Sequence, residues 1–288
     1  MKPAPFKYAT CETVEDAVSV LAEHGDEAKV LAGGQSLVPL MNLRLAAPAV
    51  LVDLNRVAAL QGVSANGTVE IGAMTRQADV ERSAEVAAGA PLVAEALRHV
   101  AFPAVRGRGT IGGSIAHADP AAELPAVLLA LGGEVVAQSA SGSRTIAADE
   151  LFQTYFTTAL RADEVLTHVR IPATGDGQRF GIQEVARKRN DFALAGAVVV
   201  ADVDAGGTCT SARVALFGVS DRPIRAAGAE QALTARSLAE GAAAAAEAAM
   251  AELDPKGDAH ASAEYRREVT GVLVRRAVEQ AASGGRTA

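Results

Sequence analysis

Residues 106–125 read RGRGTIGGSIAHADPAAELP, and this glycine-rich stretch governs how the rest of the chain is interpreted. Its four glycines, with the hydroxyls of Thr110 and Ser114, predict a loop rich in exposed backbone N–H groups, and such concave loops bind phosphate oxygens. Asp119 and Pro120 predict the start of a helix that ends near Leu131, with Asp119 as its cap. The stretch therefore predicts an anion-binding loop followed by a helix.

The spacing Gly107-x-Gly109-x-x-Gly112 formally matches a dinucleotide-binding fingerprint, but its surroundings do not. That fingerprint requires an apolar strand immediately before it and a helix that opens within it. Phe102 and Pro103 precede it, no helix is expected before about Pro120, and no alternating series of βα units follows. We therefore exclude a Rossmann site.

Another glycine motif, LAGGQSL, occupies residues 31–37; because it comes earlier in the chain it is called the first glycine motif, and the stretch at 106–125 is called the second. Its pattern predicts a strand, a turn at Gly33 and Gly34, and the start of a helix whose free N–H groups favour an anion. The alternative is a tight turn with Ser36 as an ordinary helix cap. Two anion-binding loops from different parts of the chain indicate a long ligand held between them, and a dinucleotide cofactor has that shape.

Periodicity divides the chain into three parts. Residues 1–55 predict the order β-α-β-α-β, with strands at 6–8, 29–32 and 50–53 and helices at 14–24 and 36–45. Residues 56–176 mix short strands and helices, and the stretch ATGDGQ at 173–178 marks a boundary. Residues 177–288 predict three strands followed by helices at 228–234, 238–253 and 263–282, the last capped by Ser262.

Composition excludes several classes of function. The formal net charge of −7 disfavours a nucleic-acid surface, and the pairs Arg266–Arg267 and Arg275–Arg276 are interpreted as solvated helix faces. With no signal peptide and no apolar run of about 18 residues, we expect a cytoplasmic protein without a membrane span. Two cysteines cannot supply the four thiolates of an iron–sulfur cluster, and the five histidines show no metal-ligand spacing.

The two glycine motifs resemble those of a known family, the FAD-binding medium subunits of molybdenum hydroxylases. LAGGQSL at 31–37 and TIGGSIAHADPAAELP at 110–125 carry the resemblance, and LVDL at 51–54, RNDFALAG at 189–196 and SAEYRR at 262–267 extend it over the chain. The family includes carbon monoxide dehydrogenase, xanthine dehydrogenase, and the quinoline, nicotine and caffeine enzymes. The resemblance implies an α+β fold: a two-subdomain FAD-binding fold of the vanillyl-alcohol oxidase type, plus a C-terminal three-stranded sheet with helices.

The resemblance also implies which residues bind FAD. The first motif would surround the diphosphate, Thr110, Gly113 and Ser114 would line the diphosphate and ribityl side, and Phe192 would lie near the flavin ring. The full set implied is Ala32, Gly33, Gly34, Gln35, Ser36, Leu37, Thr110, Gly113, Ser114, His117, Glu123 and Phe192.

Each of the less specific residues has a structural alternative. His117 alone is typical of a loop histidine bonded to the backbone, and Glu123 alone favours a helix N-terminus. Phe192 alone is typical of a core residue. Arg106 and Arg108 are typical of surface charges.

By resemblance, the chain is a subunit of an oxidoreductase and relays electrons. A large subunit with molybdopterin cytosine dinucleotide would oxidise the substrate, and a small subunit with two 2Fe-2S clusters would pass electrons to the FAD of this chain. The three chains would assemble as a dimer of heterotrimers, and no catalytic residue is assigned here. Two other classes stay open: a self-contained flavin oxidase or reductase of the same fold, and a non-enzymatic nucleotide-binding module.

Overall fold

A computed structural model describes residues 1–284 of the chain. Its strands are β1 (Lys7–Thr10), β2 (Ala28–Leu31), β3 (Val50–Asp53), β4 (Val63–Ala65), β5 (Thr68–Gly72), β6 (Glu134–Ser139), β7 (Gly142–Ala147), β8 (Phe152–Thr154), β9 (Thr157–Thr158), β10 (Val165–Pro172), β11 (Gln178–Ala186), β12 (Ala193–Val203), β13 (Cys209–Phe217) and β14 (Ile224–Arg225). Its α-helices are α1 (Val14–His24), α2 (Leu37–Asn42), α3 (Gln77–Arg82), α4 (Ala84–Gly89), α5 (Pro91–Leu97), α6 (Pro103–Arg106), α7 (Ile111–His117), α8 (Glu123–Leu131), α9 (Ala148–Leu151), α10 (Ala227–Leu233), α11 (Leu238–Glu252) and α12 (Ala263–Ala282).

The first part of the chain forms a three-stranded parallel sheet in the order β1-β3-β2. Helix α1 connects the first two strands and begins at Val14, as the sequence predicts, and Thr13 caps it in a capping box with Asp16. All four residues of the central strand β3 are buried. Because the strands are parallel, Leu31 and Asp53 lie at the same carboxyl edge of the sheet.

Beside a small two-stranded antiparallel sheet of β8 and β9, two larger antiparallel sheets follow. The first has five strands in the order β4-β5-β10-β6-β7, and α5 and α8 belong to the core beneath it. The second has four strands in the order β11-β12-β13-β14, covered by α10, α11 and α12. The predicted bounds of α12 and its Ser262 cap are confirmed. Close packing here uses alanine: Ala245 and Ala249 on α11 and Ala277 on α12 are fully buried.

The prediction that no helix begins before about Pro120 is wrong. Helix α7 begins at Ile111, and the Thr110 side chain caps it by accepting the Gly113 N–H at 3.0 Å. Glycine's low helix propensity concealed this helix, yet a Cβ at Gly112 would lie 2.5 Å from the Ala73 Cβ. The predicted Asp119 cap is also wrong, because Asp119 closes a turn and the following helix, α8, begins at Glu123.

Two arginines predicted on the surface are buried. Arg106 is 8% exposed and forms a two-point contact with Glu81 at 2.9 and 3.3 Å. Arg266 is 7% exposed, donates to the carbonyls of Leu194 and Gly218, and pairs with Asp258 at 2.6 Å. Arg266 therefore ties α12 to the sheet it covers, and its interpretation as part of a solvated face is wrong.

The α+β fold class is confirmed, with two neighbouring sheet systems and a C-terminal sheet covered by helices. The division at 1–55, 56–176 and 177–288 stays a prediction, and residues 285–288 of its third part lie outside the described residues. Among residues 1–284, none of the helices combines the length and the apolarity needed to cross a membrane.

Candidate functional site

A cavity of about 520 Å³ opens at the carboxyl edge of the parallel sheet. Ligands of open sheets with parallel strands commonly bind at this edge. The lining residues come from the parallel sheet and the residue beyond β3, from the first glycine motif and α2, from the residue before α3 and from the second glycine motif: Tyr8, Leu31, Ala32, Gly33, Gly34, Gln35, Val38, Pro39, Asp53, Asn55, Arg76 and Arg108.

The first glycine motif presents its backbone N–H groups without partners. Residues 32–36 connect β2 to α2, and Gly34 adopts a φ of +71°, which favours glycine. Within residues 1–284, the N–H groups of residues 33–36 donate no hydrogen bond. The Ser36 side chain makes no capping hydrogen bond to α2. An anion is the partner that such a set of donors favours, and an ordinary Ser36 cap does not account for the turn.

The two glycine motifs touch each other. A Cβ added at Gly33 would collide with the carbonyl oxygen of Arg108 and lie 2.8 Å from the Gly109 Cα. A Cβ at Gly113 would lie 2.7 Å from Thr110 Oγ1 and 3.3 Å from the Ala32 Cβ. The contact needs glycine at position 33, because the neighbouring atoms are backbone and cannot rotate away.

The second motif is not the open nest of N–H groups that the sequence predicts. The N–H of Gly112 donates to the Ala73 carbonyl at 2.9 Å, and that of Gly113 donates to Thr110. Thr110 is itself only 2% exposed. The second motif therefore packs against the first, and the first motif supplies the backbone N–H groups that have no partner within residues 1–284.

Two arginines of the cavity were not included in the predicted site. Arg76 precedes α3, and Arg108 belongs to the second motif. In the described part of the chain, neither forms a salt bridge with a carboxylate. Burial and the neighbouring Arg108 lower the pKa of Arg76, so an anion bound beside both would relieve their repulsion. One sequence signal pointed here: a polar residue, Asp53, ends the buried strand β3, and Asn55 lies just beyond it.

A buried acidic corner lies outside the cavity lining. Glu123 is 7% exposed at the first position of α8. Burial, reinforced by the nearby Glu184, raises the pKa of Glu123 to about 8. The contact with Glu184, whose Oε1 lies 3.6 Å from His99 Nδ1, raises the pKa of His99 in spite of burial. At neutral pH Glu123 is therefore largely protonated and offers an O–H donor.

The remaining predicted residues also lie outside the lining of this cavity. Ser114 and His117 lie on α7, and the half-buried His117 ring is 5.1 Å from that of Phe156, with its pKa lowered by burial. Phe192 is 70% exposed, so its interpretation as a core residue is wrong. Leu37 opens α2, and Ser36 precedes it. The structure thus brings Ala32, Gly33, Gly34 and Gln35 together in the cavity lining and places Gly113 between Thr110 and Ala32, but it does not bring the full predicted set together.

Comparison with known proteins defines the class. Residues 4–174 match the model of the FAD binding domain in molybdopterin dehydrogenase, and residues 181–281 match that of the CO dehydrogenase flavoprotein C-terminal domain. The chain belongs to the family of FAD-binding medium subunits of molybdenum hydroxylases, as the glycine motifs predicted. It is an FAD-carrying subunit of an oxidoreductase.

Individual relatives match over nearly the whole chain. The 6-hydroxypseudooxynicotine dehydrogenase complex subunit alpha of Paenarthrobacter nicotinovorans is 42% identical, over 98% of this chain and 96% of its own. A chain of carbon monoxide dehydrogenase from Hydrogenophaga pseudoflava superposes with a TM-score of 0.95 at 40% identity, covering 98% and 99% of the two chains. A chain of quinoline 2-oxidoreductase from Pseudomonas putida 86 gives 0.93 at 36% identity, covering 99% of each.

The contact between the glycine motifs generates a first prediction. Gly33→Ala must push the motifs apart, whereas Gly175→Ala places its Cβ in open space. We expect Gly33→Ala to lower the FAD affinity about tenfold or more, as loss of one or two charge-assisted hydrogen bonds would. Gly175→Ala should leave the FAD affinity unchanged. The measurements are FAD titration and thermal unfolding of the apo-chain. If Gly33→Ala lowers the free energy of unfolding as much as it lowers the free energy of FAD binding, Gly33 has only a structural role.

The acidic corner generates a prediction about pH. A carboxyl whose pKa rises from 4.5 to about 8 on folding adds stability below pH 4.5, and this is lost as the pH rises towards 8. We expect the melting temperature of Glu123→Gln to fall less steeply than that of the wild type between pH 5 and pH 8.5. A smaller slope of the same sign should persist, because the pKa of His99 is also raised. The exposed Glu12→Gln is the control, and a slope in Glu123→Gln as steep as the control's would contradict the account.

Proposed function

We propose that this chain binds FAD noncovalently, with its diphosphate at the contact between the two glycine motifs. The observation that carries the proposal is the set of N–H groups at residues 33–36, which donate no hydrogen bond within residues 1–284. Gly33, Gly34 and Gln35 line the same cavity as Arg76 and Arg108. Partnerless donors beside cationic side chains match the charge of a diphosphate. The lining residues of this cavity include no cysteine or histidine, and His117, the one histidine of the proposed set, lies outside the lining at the end of α7.

The proposed cofactor site extends beyond the cavity lining. It comprises Ala32, Gly33, Gly34, Gln35, Ser36 and Leu37 around the diphosphate, with Thr110, Gly113 and Ser114 on the opposite side. Glu123 contributes a protonated carboxyl that can donate a hydrogen bond to a cofactor hydroxyl. His117 and the exposed Phe192 complete the set toward the flavin ring.

We further propose that the chain is an electron relay. The substrate would be oxidised in a large subunit at molybdopterin cytosine dinucleotide, and electrons would pass through two 2Fe-2S clusters of a small subunit to FAD here. The two buried cysteines of this chain cannot build such a cluster, so the clusters belong to a partner. One relative is a subunit of a dehydrogenase complex, and the expected assembly is a dimer of heterotrimers. The protein's part is to position FAD and to pass its electrons to an external acceptor.

The relay generates a prediction that uses the intact complex. Carbon monoxide, quinoline and 6-hydroxypseudooxynicotine, after which the relatives are named, are first screened for reduction of the flavin in the purified complex. The reducing compound is then added anaerobically to the isolated FAD-loaded chain. We expect the flavin absorbance near its visible maximum to bleach in the complex and to stay constant in the isolated chain.

Two results would contradict this function. Bleaching of the isolated chain at a rate comparable to the complex would establish a self-contained flavoenzyme. If the purified complex contained no FAD, the electron relay would be excluded and the chain would be a non-enzymatic nucleotide-binding module. Sodium dithionite added to the isolated chain is the control, because it reduces any bound flavin directly.

A further inference from the structure

A chain of hydrogen bonds connects the two glycine motifs through residues that belong to neither. Asn55 Nδ2 donates to the Ala32 carbonyl of the first motif at 3.0 Å. Arg76 Nη2 donates to Asn55 Oδ1 at 2.6 Å, and Arg76 Nη1 donates to the Arg108 carbonyl of the second motif at 2.5 Å. Two side chains therefore span the gap between backbone carbonyls of the two glycine motifs.

Asp53 fixes the orientation of the Asn55 amide. Its Oδ1 accepts from the Asn55 backbone N–H at 2.9 Å and from Asn55 Nδ2 at 2.5 Å, and its Oδ2 accepts from the Tyr8 hydroxyl. Although burial acts in the opposite direction, these hydrogen bonds lower the pKa of Asp53. An ionised carboxylate only accepts hydrogen bonds, so it faces the NH2 of Asn55 and leaves the amide oxygen directed at Arg76.

The guanidinium group suits the other half of the bridge. Its planar donors contact two acceptors at once, the amide oxygen of Asn55 and the carbonyl of Arg108. A lysine ammonium would keep the charge, but it lacks this fixed fork. Both Asn55 and Arg76 also line the cavity, directly beside the free N–H groups of the first motif.

We propose that Asn55 and Arg76 are positioning residues for the cofactor: their bridge holds the two glycine motifs at the separation that the FAD diphosphate requires. This inference rests on the proposed FAD site. The bridge connects the same two backbone segments that meet at Gly33, and its Arg76 adds a positive charge where the diphosphate would bind. Loss of the bridge weakens FAD binding by letting the second motif move away from the first.

The test is an FAD titration of the full-length apo-chain, followed by the quenching of flavin fluorescence. The variants are Asn55→Ala, Arg76→Gln, Arg76→Lys and the double variant Asn55→Ala with Arg76→Gln. Arg82→Gln is the matched control, because Arg82 lies on the adjoining helix α3 in an exposed pair with Asp79 at 3.3 Å. Circular dichroism establishes that each variant folds, and Arg76→Lys keeps both the charge and most of the aliphatic stem.

We expect Arg76→Gln and Arg76→Lys each to raise the dissociation constant of FAD about tenfold or more, and the control to change it less than about twofold. The double variant should bind about as weakly as Arg76→Gln alone, because both residues act through one bridge. If Arg76→Lys binds FAD with wild-type affinity, Arg76 contributes only its charge. If the double variant loses the sum of the binding free energies lost by Asn55→Ala and Arg76→Gln, the two residues do not act through one bridge. Either result overturns the inference. A wild-type chain that binds no FAD would instead overturn the proposed function.

Discussion

Gly33 lies so close to the carbonyl of Arg108 that no side chain fits between them. This contact joins the turn that follows β2 of the parallel sheet to the segment between α6 and α7, and the organisation of the site depends on it. Within residues 1–284, the N–H groups of residues 33–36 in the first motif donate no hydrogen bond. In the second motif, the N–H of Gly112 donates to the Ala73 carbonyl and that of Gly113 donates to the Thr110 side chain that caps α7. This difference explains why two glycine motifs are needed: the first motif binds the anion, and the second motif packs against the first and holds it in place.

The charges around the contact are arranged for the same purpose. Arg76 and Arg108 line the cavity without salt-bridge partners among residues 1–284, while Arg106, two residues earlier in the chain, is buried and fully engaged with Glu81. Neighbouring arginines of one motif therefore have different roles. Arg106 binds Glu81 and the carbonyls of Val100 and Ala101, and Arg108 lines the ligand cavity. Such unpaired cations are costly in an empty site and favourable beside a diphosphate.

Local signals made part of this structure predictable. The Thr13 cap and apolar spacing define α1, the Ser262 cap defines α12, and the strand, turn and helix of LAGGQSL follow directly from the sequence. The family and its FAD cofactor were predictable because the two motifs are long and specific. Residues of the two motifs that lie near each other, such as Ala32 and Gly113, were predicted as one site, but the close packing of the two motifs was not.

What the sequence did not reveal depends on contacts between distant segments. Helix α7 was missed because its glycines have low helix propensity, and only the approach of Ala73 shows why they are required. Arg266 was interpreted as a surface charge because its partners, Leu194 and Gly218, are about 50 to 70 residues away. Asn55 and Arg76 match no motif, and their bridge exists only once the two sheets have met.

The most direct test of this account is a crystal structure of the chain, alone or in its complex, with FAD bound. The account predicts that the diphosphate oxygens lie within hydrogen-bonding distance of the N–H groups of residues 33–36, with Gly33 still packed on Arg108. A diphosphate bound away from the first glycine motif, or FAD seated between motifs that have separated, would contradict it.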